Sequence, residues 1–256
     1  MLRFFLILLL ANAAVAQTNR IIVRDGSEMV LVPAGEFMMG SLEGDADEAP
    51  PHKVSLPAFY IDKFEVTHEQ YAKFLADVQG KLGRLAIHPP IDWPSGQMPA
   101  KLAKHPVVNV TFADAEAYAR WAGKRLPTEL EWEKAARGRD GRIFPWGDAT
   151  NKNASAWGEV GKERTWPVGS FTNDVSPFGA MDMGGNVWEW TASWYDAYPG
   201  NTNLELAFGK KFRVIRGSGA IEYYGKPSTR HGAQRGRSVP YGAFDGLGFR
   251  CVVDVK

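Results

Sequence analysis

The sequence predicts a single α+β domain rich in irregular loops, and three observations lead to this fold class. Helix-start signals stand at three places in the first half of the chain, with strand-like apolar runs before them. After Gly138, short apolar pieces alternate with Gly, Pro and Asn up to the carboxyl end. The 256 residues, which include 27 Gly and 16 Pro, are enough for one loop-rich domain with a full hydrophobic core.

The first 16 residues have the pattern of a secretory signal peptide. Arg3 provides a positive start, residues 4–10 form an apolar run, and Ala14-Val15-Ala16 has the small-x-small form of a cleavage site. The run is too short to span a bilayer. We therefore expect a leader at residues 1–16, one domain at residues 17–256, and a periplasmic or secreted protein.

The charge balance excludes some classes of partner. The formal net charge is +1, and loss of Arg3 with the leader would bring it to zero. A neutral chain argues against nucleic acid or an anionic membrane as the main partner. No other stretch is long and apolar enough for a membrane span. A peptide, a protein or a small molecule is the expected ligand.

Strand-like patterns fill the first quarter of the domain. Residues 29–40 are expected to form two paired strands that turn at Pro33-Ala34-Gly35. The acidic residues 41–51 are expected to form a surface loop. The partly alternating residues 53–66, which are rich in aromatic side chains, are expected to be strand.

Three helices are predicted from their caps and their periodic apolar residues. Thr67 with Gln70, and Thr128 with Glu131, have the spacing of a capping box, in which each side chain accepts a backbone N–H from the other end of the turn. Thr111 is expected to cap the second helix. Glycines are expected to end the three helices, at Gly80, Gly123 and Gly138.

Several motifs, in order, resemble those of the formylglycine-generating enzyme (sulfatase-modifying factor) family. The most specific strings are Arg125-Leu126-Pro127-Thr128-Glu129-Leu130-Glu131-Trp132-Glu133, Gly184-Gly185-Asn186-Val187-Trp188-Glu189-Trp190 and Leu247-Gly248-Phe249-Arg250-Cys251. Further matches lie at residues 29–40, 64–71, 106–110, 144–147 and 167–170. The resemblance covers nearly all of the chain after the leader. It implies a fold related to C-type lectins, with little regular secondary structure.

The resemblance also implies a calcium site. Asp182 and Glu189 match residues that offer carboxylates, while Gly185 and Val187 match residues that offer backbone carbonyls. Oxygen ligands of this kind suit a hard cation. The alternative is that the two carboxylates accept ordinary hydrogen bonds from loop amides and hold no ion.

The residues needed for the family's oxidase chemistry are missing. The family's enzymes bind copper(I) through two cysteine thiolates and convert a substrate cysteine into formylglycine with oxygen. Ile221 and Lys226 stand where those cysteines match, and Gly246 replaces a cleft Asn. The only cysteine, Cys251, is expected to be a small buried thiol in a terminal strand. Because copper(I) prefers soft thiolate ligands, we expect no copper site.

The resemblance places a binding cleft over Trp188 and Ser218, and assigns Trp190 to the core. Glu222 and His231 are the candidate catalytic residues, because a carboxylate and an imidazole can together perform acid–base chemistry. The same side chains can equally line a polar binding groove. The further residues expected in the cleft are Tyr223, Tyr224 and Arg230.

Three functions are compatible with these observations. The first is a secreted or periplasmic ligand-binding or regulatory module without formylglycine chemistry, which the missing thiols favour. The second is an oxidoreductase of a different mechanism, like the periplasmic relative that acts in pyoverdine maturation. The third is a genuine formylglycine-generating oxidase, which lacks its thiol pair here. Whether the chain is an enzyme stays open at this point.

Overall fold

A computed structural model of the chain describes residues 20–78, 89–151, 153–155, 165–218 and 231–255. The predicted leader lies outside these residues. The strands are β1 (Arg20–Ile22), β2 (Glu28–Val32), β3 (Gly35–Met39), β4 (His52–Leu56), β5 (Phe59–Asp62), β6 (Trp188–Trp194), β7 (Arg213–Gly217), β8 (Arg235–Ser238), β9 (Leu247–Gly248) and β10 (Val252–Asp254). The α-helices are α1 (His68–Val78), α2 (Phe112–Trp121) and α3 (Glu129–Arg137). Helices and sheets thus share one domain, as the α+β prediction requires.

The strands form three sheets. The first is antiparallel with the order β1-β2-β5-β10, so that it joins the two ends of the domain. The second pairs β3 with β4. The third has the order β8-β7-β6-β9, and in it only the β6–β9 pair is parallel.

The predicted pairing of strands within residues 29–40 is wrong. Strands form there, but β2 pairs with β5, where Val30 lies opposite Ile61, and β3 pairs with β4, where Phe37 lies opposite Val54. The side chains of the two strands are buried in different apolar clusters. Strand pairing depends on which distant surfaces are buried, and a short turn signal between two strands does not determine it.

The strand predicted over residues 53–66 is interrupted. It divides into β4 and β5 at Pro57-Ala58, and the two strands belong to different sheets. Proline has no N–H to donate to a strand ladder, so a break at this position has a local cause. The acidic residues 41–51 also differ from a simple surface loop, because the 3₁₀ turn Ala46–Glu48 buries the side chain of Glu48.

The three predicted helix starts are confirmed. Thr67 N–H donates to Gln70 Oε1 at 2.9 Å, and Gln70 N–H donates back to Thr67 Oγ1 at 3.3 Å. Thr128 and Glu131 form the same reciprocal pair, and Thr111 forms one as well, with Asp114 as its partner. Gly123 and Gly138 follow the second and third helices at φ of 76° and 73°, a region that glycine enters without strain. Gly80 lies outside the described residues.

The largest apolar cluster lies between α1, α2 and the third sheet. Aromatic rings dominate it, and Tyr71, for example, stacks on Tyr118 with ring centroids 6.0 Å apart. Trp190 is fully buried in this cluster and its Nε1 donates to Val110 O at 2.9 Å, which confirms the core position expected for it. Of the helices that the structure describes, none has both the length and the apolar character needed to cross a bilayer.

Candidate functional site

One end of the third sheet brings together Trp188, Ser218 and Gly246. Trp188 opens β6, lies opposite Gly217 on β7, and donates its N–H to Gly246 O at 2.7 Å. Gly217 has φ of 94°, and a Cβ there would come within 2.9 Å of Val187 O. Only glycine fits this close approach, after which the chain presents Ser218 beside the Trp188 strand.

These two predicted cleft residues are largely covered. Trp188 is 9% exposed and Ser218 is 5% exposed. The tryptophan packs in the largest apolar cluster, beside Trp190 and Ile215. Four of the other residues expected around them lie outside the described residues, and their predicted roles stay predictions. They are Glu222, Tyr223, Tyr224 and Arg230.

The structure places the candidate catalytic His231 against Glu48, with Nε2 and Oε2 3.2 Å apart. Burial, followed by the charges of Arg216 and Arg137, lowers the pKa of His231 to about 4. Burial also raises the pKa of Glu48 to about 8, despite the opposing charge of Arg216. At neutral pH the imidazole is therefore uncharged, and its nitrogen lone pair can accept a proton or bind a metal ion.

The predicted calcium ligands lie in the loop before β6. Asp182 adopts φ of 60° and its Oδ2 accepts a hydrogen bond from Gly169 N at 2.6 Å. Glu189 is fully buried on β6 and accepts from Arg250 on both oxygens, at 2.7 Å each. Trp132 Nε1 donates to the same carboxylate at 2.8 Å. Asp182 thus accepts a hydrogen bond from a loop amide on Oδ2, while both oxygens of Glu189 are bound by side chains.

The backbone groups expected to bind calcium are buried beside these carboxylates. Gly185 O accepts a hydrogen bond from Val187 N at 2.9 Å, which bends the loop tightly before β6. Arg250 extends across the same region, because its Nη2 also donates to Met181 O at 3.0 Å. The segment therefore buries carboxylates, carbonyls and one guanidinium group in the same part of the fold.

Glu65 belongs to this cluster, and the sequence analysis missed it. The side chain is buried, and neither carboxylate oxygen receives a hydrogen bond from any residue that the structure describes. Its pKa is raised well above the usual range, first by burial and then by the charge of Asp182. Burial likewise raises the pKa of Asp182. The local signal was weak, because Glu65 lies between the apolar residues Phe64 and Val66 but other charged residues precede them.

The charge and the chemistry of this cluster fit calcium. Three carboxylates, those of Glu65, Asp182 and Glu189, face the single guanidinium group of Arg250. With all three acids ionised, a divalent cation would balance the remaining negative charge, and the carboxylate oxygens of Glu65 are hard ligands of the type that calcium prefers. Glu189 contributes in a different way from that expected, since Arg250 and Trp132 already hold its oxygens.

Cys251, the only cysteine in the sequence, is fully buried just before β10. Its N–H donates to Asp62 Oδ2 at 2.9 Å. Burial, followed by the charge of Asp62, raises the pKa of the thiol well above its usual range. The thiol therefore stays protonated at neutral pH, as expected for a small core residue.

Comparison with known proteins identifies the family. The model of the sulfatase-modifying factor enzyme 1-like domain matches residues 15–255. The chain therefore belongs to the formylglycine-generating enzyme (sulfatase-modifying factor) family. This result agrees with the motifs and with the mixture of helices and sheets described above.

Relatives with similar sequences carry names that point to different functions. A formylglycine-generating enzyme of Mycobacterium tuberculosis is 35% identical over 229 residues, with 68% of this chain and 75% of that protein covered. A Bos taurus protein named inactive C-alpha-formylglycine-generating enzyme 2 is 32% identical, with 87% of each covered. Serine/threonine-protein kinase Pkn1 of Chlamydia trachomatis is 34% identical over 256 residues. The alignment covers 90% of this chain, which spans about two fifths (39%) of the kinase's length.

Solved structures agree with the fold. PvdO from Pseudomonas aeruginosa superposes with a TM-score of 0.67 at 28% identity, covering 91% of this chain and 96% of that one. Treponema denticola variable protein 1 has the same TM-score at 20% identity, a level at which the likeness concerns the fold alone.

Proposed function

We propose that this protein is a formylglycine-generating-enzyme-like, ligand-binding or regulatory module that has no copper-dependent formylglycine chemistry. Its ligand, a peptide, a protein or a small molecule, would bind in a cleft over Trp188 and Ser218. The protein would act in the periplasm or outside the cell, because its first 16 residues have the pattern of a secretory leader.

One observation carries this proposal: the sequence contains a single cysteine, and that cysteine is buried and protonated. Copper(I) needs soft anionic ligands, and a thiol becomes such a ligand only as a thiolate. Two thiolates cannot come from one chain with one cysteine, and Cys251 is held in the core beside Asp62. The relative named inactive supports the same reading, because a member of this family has received that name at 32% identity.

Calcium is the proposed cofactor, at the cluster formed by Glu65, Asp182 and the loop carbonyls of Gly185 and Val187. The surplus of buried carboxylate over guanidinium charge supports it. When bound, the ion would supply positive charge to the loop before β6. The chain's own residues would fix that loop, since Arg250 anchors Glu189 at the start of the sheet that carries Trp188.

A second candidate function is an oxidoreductase of a different mechanism, of the pyoverdine-maturation type expected from the sequence. The likeness to PvdO at 28% identity favours it. So does His231, whose uncharged imidazole could act as a base. Stoichiometric iron or copper in the purified protein would support this candidate over a binding module.

The first experiment asks whether formylglycine chemistry is absent. The protein is incubated with a sulfatase-derived Cys-x-Pro-x-Arg peptide, cuprous salt and oxygen, and the peptide is examined for aldehyde by hydrazide labelling and mass spectrometry. We expect the peptide cysteine to remain unchanged with the wild type and with Cys251→Ala alike. Aldehyde formed by the wild type would overturn the proposal.

The second experiment asks whether the cleft binds a ligand. A phage-displayed random peptide library is selected on immobilised wild type, and the enriched peptides are then tested on Ser218→Arg. The matched control is Ser170→Arg, because Ser170 is an exposed serine in a loop. We expect binding to survive the control and to fall by more than about tenfold in Ser218→Arg, whose fold is checked by circular dichroism. Equal binding by both variants would contradict a cleft at Ser218.

A further inference from the structure

A group of acids outside the cleft and outside the calcium cluster lies on the 3₁₀ turn Ala46–Glu48. Asp45, Asp47 and Glu48 each place one carboxylate oxygen so that the three atoms are within 4.8 Å of one another. The turn is closed by a hydrogen bond from Glu48 N to Asp45 O at 3.0 Å. Grouped acids alone are common on protein surfaces, so a ligand has to be argued from something else.

The second observation is the histidine that faces this turn. The side chain of His231 is 6% exposed and that of Glu48 is 2% exposed. His231 Nε2 and Glu48 Oε2 lie 3.2 Å apart, yet neither atom has a hydrogen-bond partner of acceptable geometry among the described residues. Two ligands of one zinc ion, each bonded at about 2.0–2.2 Å, are separated by about this distance.

Gly44 packs directly over these two atoms. A Cβ at this position would lie 2.0 Å from Glu48 Oε2 and 2.5 Å from His231 Nε2. The loop backbone therefore covers one side of the pair and holds the carboxylate and the imidazole together. A side chain at position 44 would have to displace one or both of them.

The surrounding charges leave a negative excess. Five carboxylates lie around three buried guanidinium groups, so one negative charge is uncompensated while Glu48 is protonated, and two are uncompensated once a cation displaces that proton. The guanidinium groups already bind two of the buried acids, since Arg216 pairs with both Glu129 and Glu133. The full set is Arg137, Arg216 and Arg235 with Glu129, Glu133, Asp45, Asp47 and Glu48. One divalent cation would balance this excess.

A route for an ion exists from the side of His231. This residue lines a cavity of about 240 Å³ together with Gly40, Glu43 and Arg137. The volume is large enough for several water molecules, so a hydrated ion can reach the imidazole.

We propose that Asp45, Asp47, Glu48 and His231 form a binding site for a divalent first-row transition ion of the zinc type. An imidazole nitrogen beside carboxylate oxygens is a donor set that suits such ions, whereas an all-oxygen set suits calcium. The bound ion would tie the acidic loop at residues 41–51 to the segment that starts at His231. The proposal is independent of the proposed cleft function.

The test is a zinc titration of the full chain after treatment with a chelator, followed by calorimetry and elemental analysis. We expect the wild type to bind one Zn²⁺ and the affinity to fall by more than about tenfold in His231→Ala, Glu48→Gln and Asp45→Asn. Control variants are His52→Ala and Glu43→Gln, which remove a half-buried histidine and an exposed acid outside the donor set. We expect both controls to bind like the wild type.

Co²⁺ serves as a spectroscopic probe of the same site. We expect visible absorption bands of bound Co²⁺ in the wild type and their loss in His231→Ala. Asp45 is exposed, so Asp45→Asn keeps the test valid if Glu48→Gln fails to fold. Absence of stoichiometric zinc binding, equal affinity in all three site variants, or full displacement of zinc by millimolar calcium would each overturn the proposal.

Discussion

Two buried clusters of acids on either side of the end of β5 differ in how their charge is balanced. In the first, Lys124 Nζ donates to Asp25 and Asp62 at 2.7 Å each and to Ser27 Oγ at 2.6 Å. In the second, the guanidinium group of Arg250 is used by Glu189 and by backbone carbonyls. Its Nη2 lies 4.0 Å from Glu65 Oε2, and Glu65 accepts no hydrogen bond from the described residues. Asp62 of the first cluster and Glu65 of the second are only three residues apart in the sequence.

The difference shows that donor supply and the depth of burial together decide whether a buried carboxylate is stable as an anion. Burial is the largest influence on both Asp25 and Glu65, yet the pKa of Asp25 is lowered because Lys124, Ser27 and Tyr118 donate to it. The pKa of Glu65 is raised well above its usual range. Complete burial still raises the pKa of Asp62, despite its bond to Lys124. In the first cluster, Lys124 balances the charge of the acids. In the second, the acids outnumber the guanidinium group of Arg250, so a bound metal ion could supply the missing positive charge.

The largest effect is expected from Lys124→Met, which removes the only cation of the first cluster. Two buried carboxylates would then lack their main donor, so we expect a loss of about 3–5 kcal/mol in the free energy of unfolding in urea. The control is Lys73→Met, an exposed lysine paired with Glu69, for which we expect a change within about 0.5 kcal/mol. A loss below about 1 kcal/mol for Lys124→Met would contradict the claim that Lys124 stabilises the buried acids of the first cluster.

The pH dependence of the free energy of unfolding is expected to show that carboxylates near the second cluster are protonated in the folded protein. Burial raises the pKa of Asp174, beside the second cluster, to about 7. Native Asp174 keeps its proton in a range where the unfolded chain has lost it. Its contribution is therefore complete below about pH 4 and is lost as the pH rises through 7, a change of about 4 kcal/mol.

The measurement is urea unfolding between pH 4 and pH 8 with a calcium chelator present, for the wild type and Asp174→Asn. We expect the stability of the wild type relative to the variant to decrease across this range. A difference that is constant with pH would show that Asp174 is ionised in the folded protein.

The next effect is thermal stabilisation by calcium. Calcium at about 100 times its dissociation constant would stabilise the wild type by about 2.7 kcal/mol. We expect Glu65→Gln to gain much less, because the change removes a charged ligand, and to be no less stable than the wild type when calcium is absent. Glu69→Gln, which alters an exposed acid on α1, is the control. Equal gains in melting temperature for Glu65→Gln and the wild type would place the ion elsewhere.

The smallest effect is expected from Ser27→Ala. The Ser27 hydroxyl donates to Asp62 Oδ1 at 2.8 Å and accepts from Lys124. Removing it leaves Lys124 with two carboxylate partners, so we expect a loss of about 1 kcal/mol in urea unfolding. In the double variant with Lys124→Met, the serine should matter less, since its donor is gone. Strict additivity of the two changes would argue against one connected cluster.

The sequence-based predictions succeeded where the physics is local. The capping pairs of Thr67 and Thr128 join residues three apart, so the sequence contains both partners in one turn. They failed for the pairing of β2 with β3, because each strand pairs with a partner chosen by burial elsewhere in the fold.

The sequence predicted some of the residues in the site, but it did not predict which side chains they contact. Asp182 and Glu189 lie in one buried region as expected, but nothing near Glu189 in the sequence indicated Arg250 as its partner. Glu65 and Glu48 were missed, since an acid is usually exposed and only the folded chain shows which ones are covered.

By itself, the sequence determined the family, the helix starts and the thiol count, because motifs, caps and composition are properties of neighbouring or individual residues. The tertiary structure decided the strand partners, the bare oxygens of Glu65 and the meeting of Glu48 with His231. These depend on which groups lose water together and which donors then reach them, and that is settled only when distant segments pack against each other.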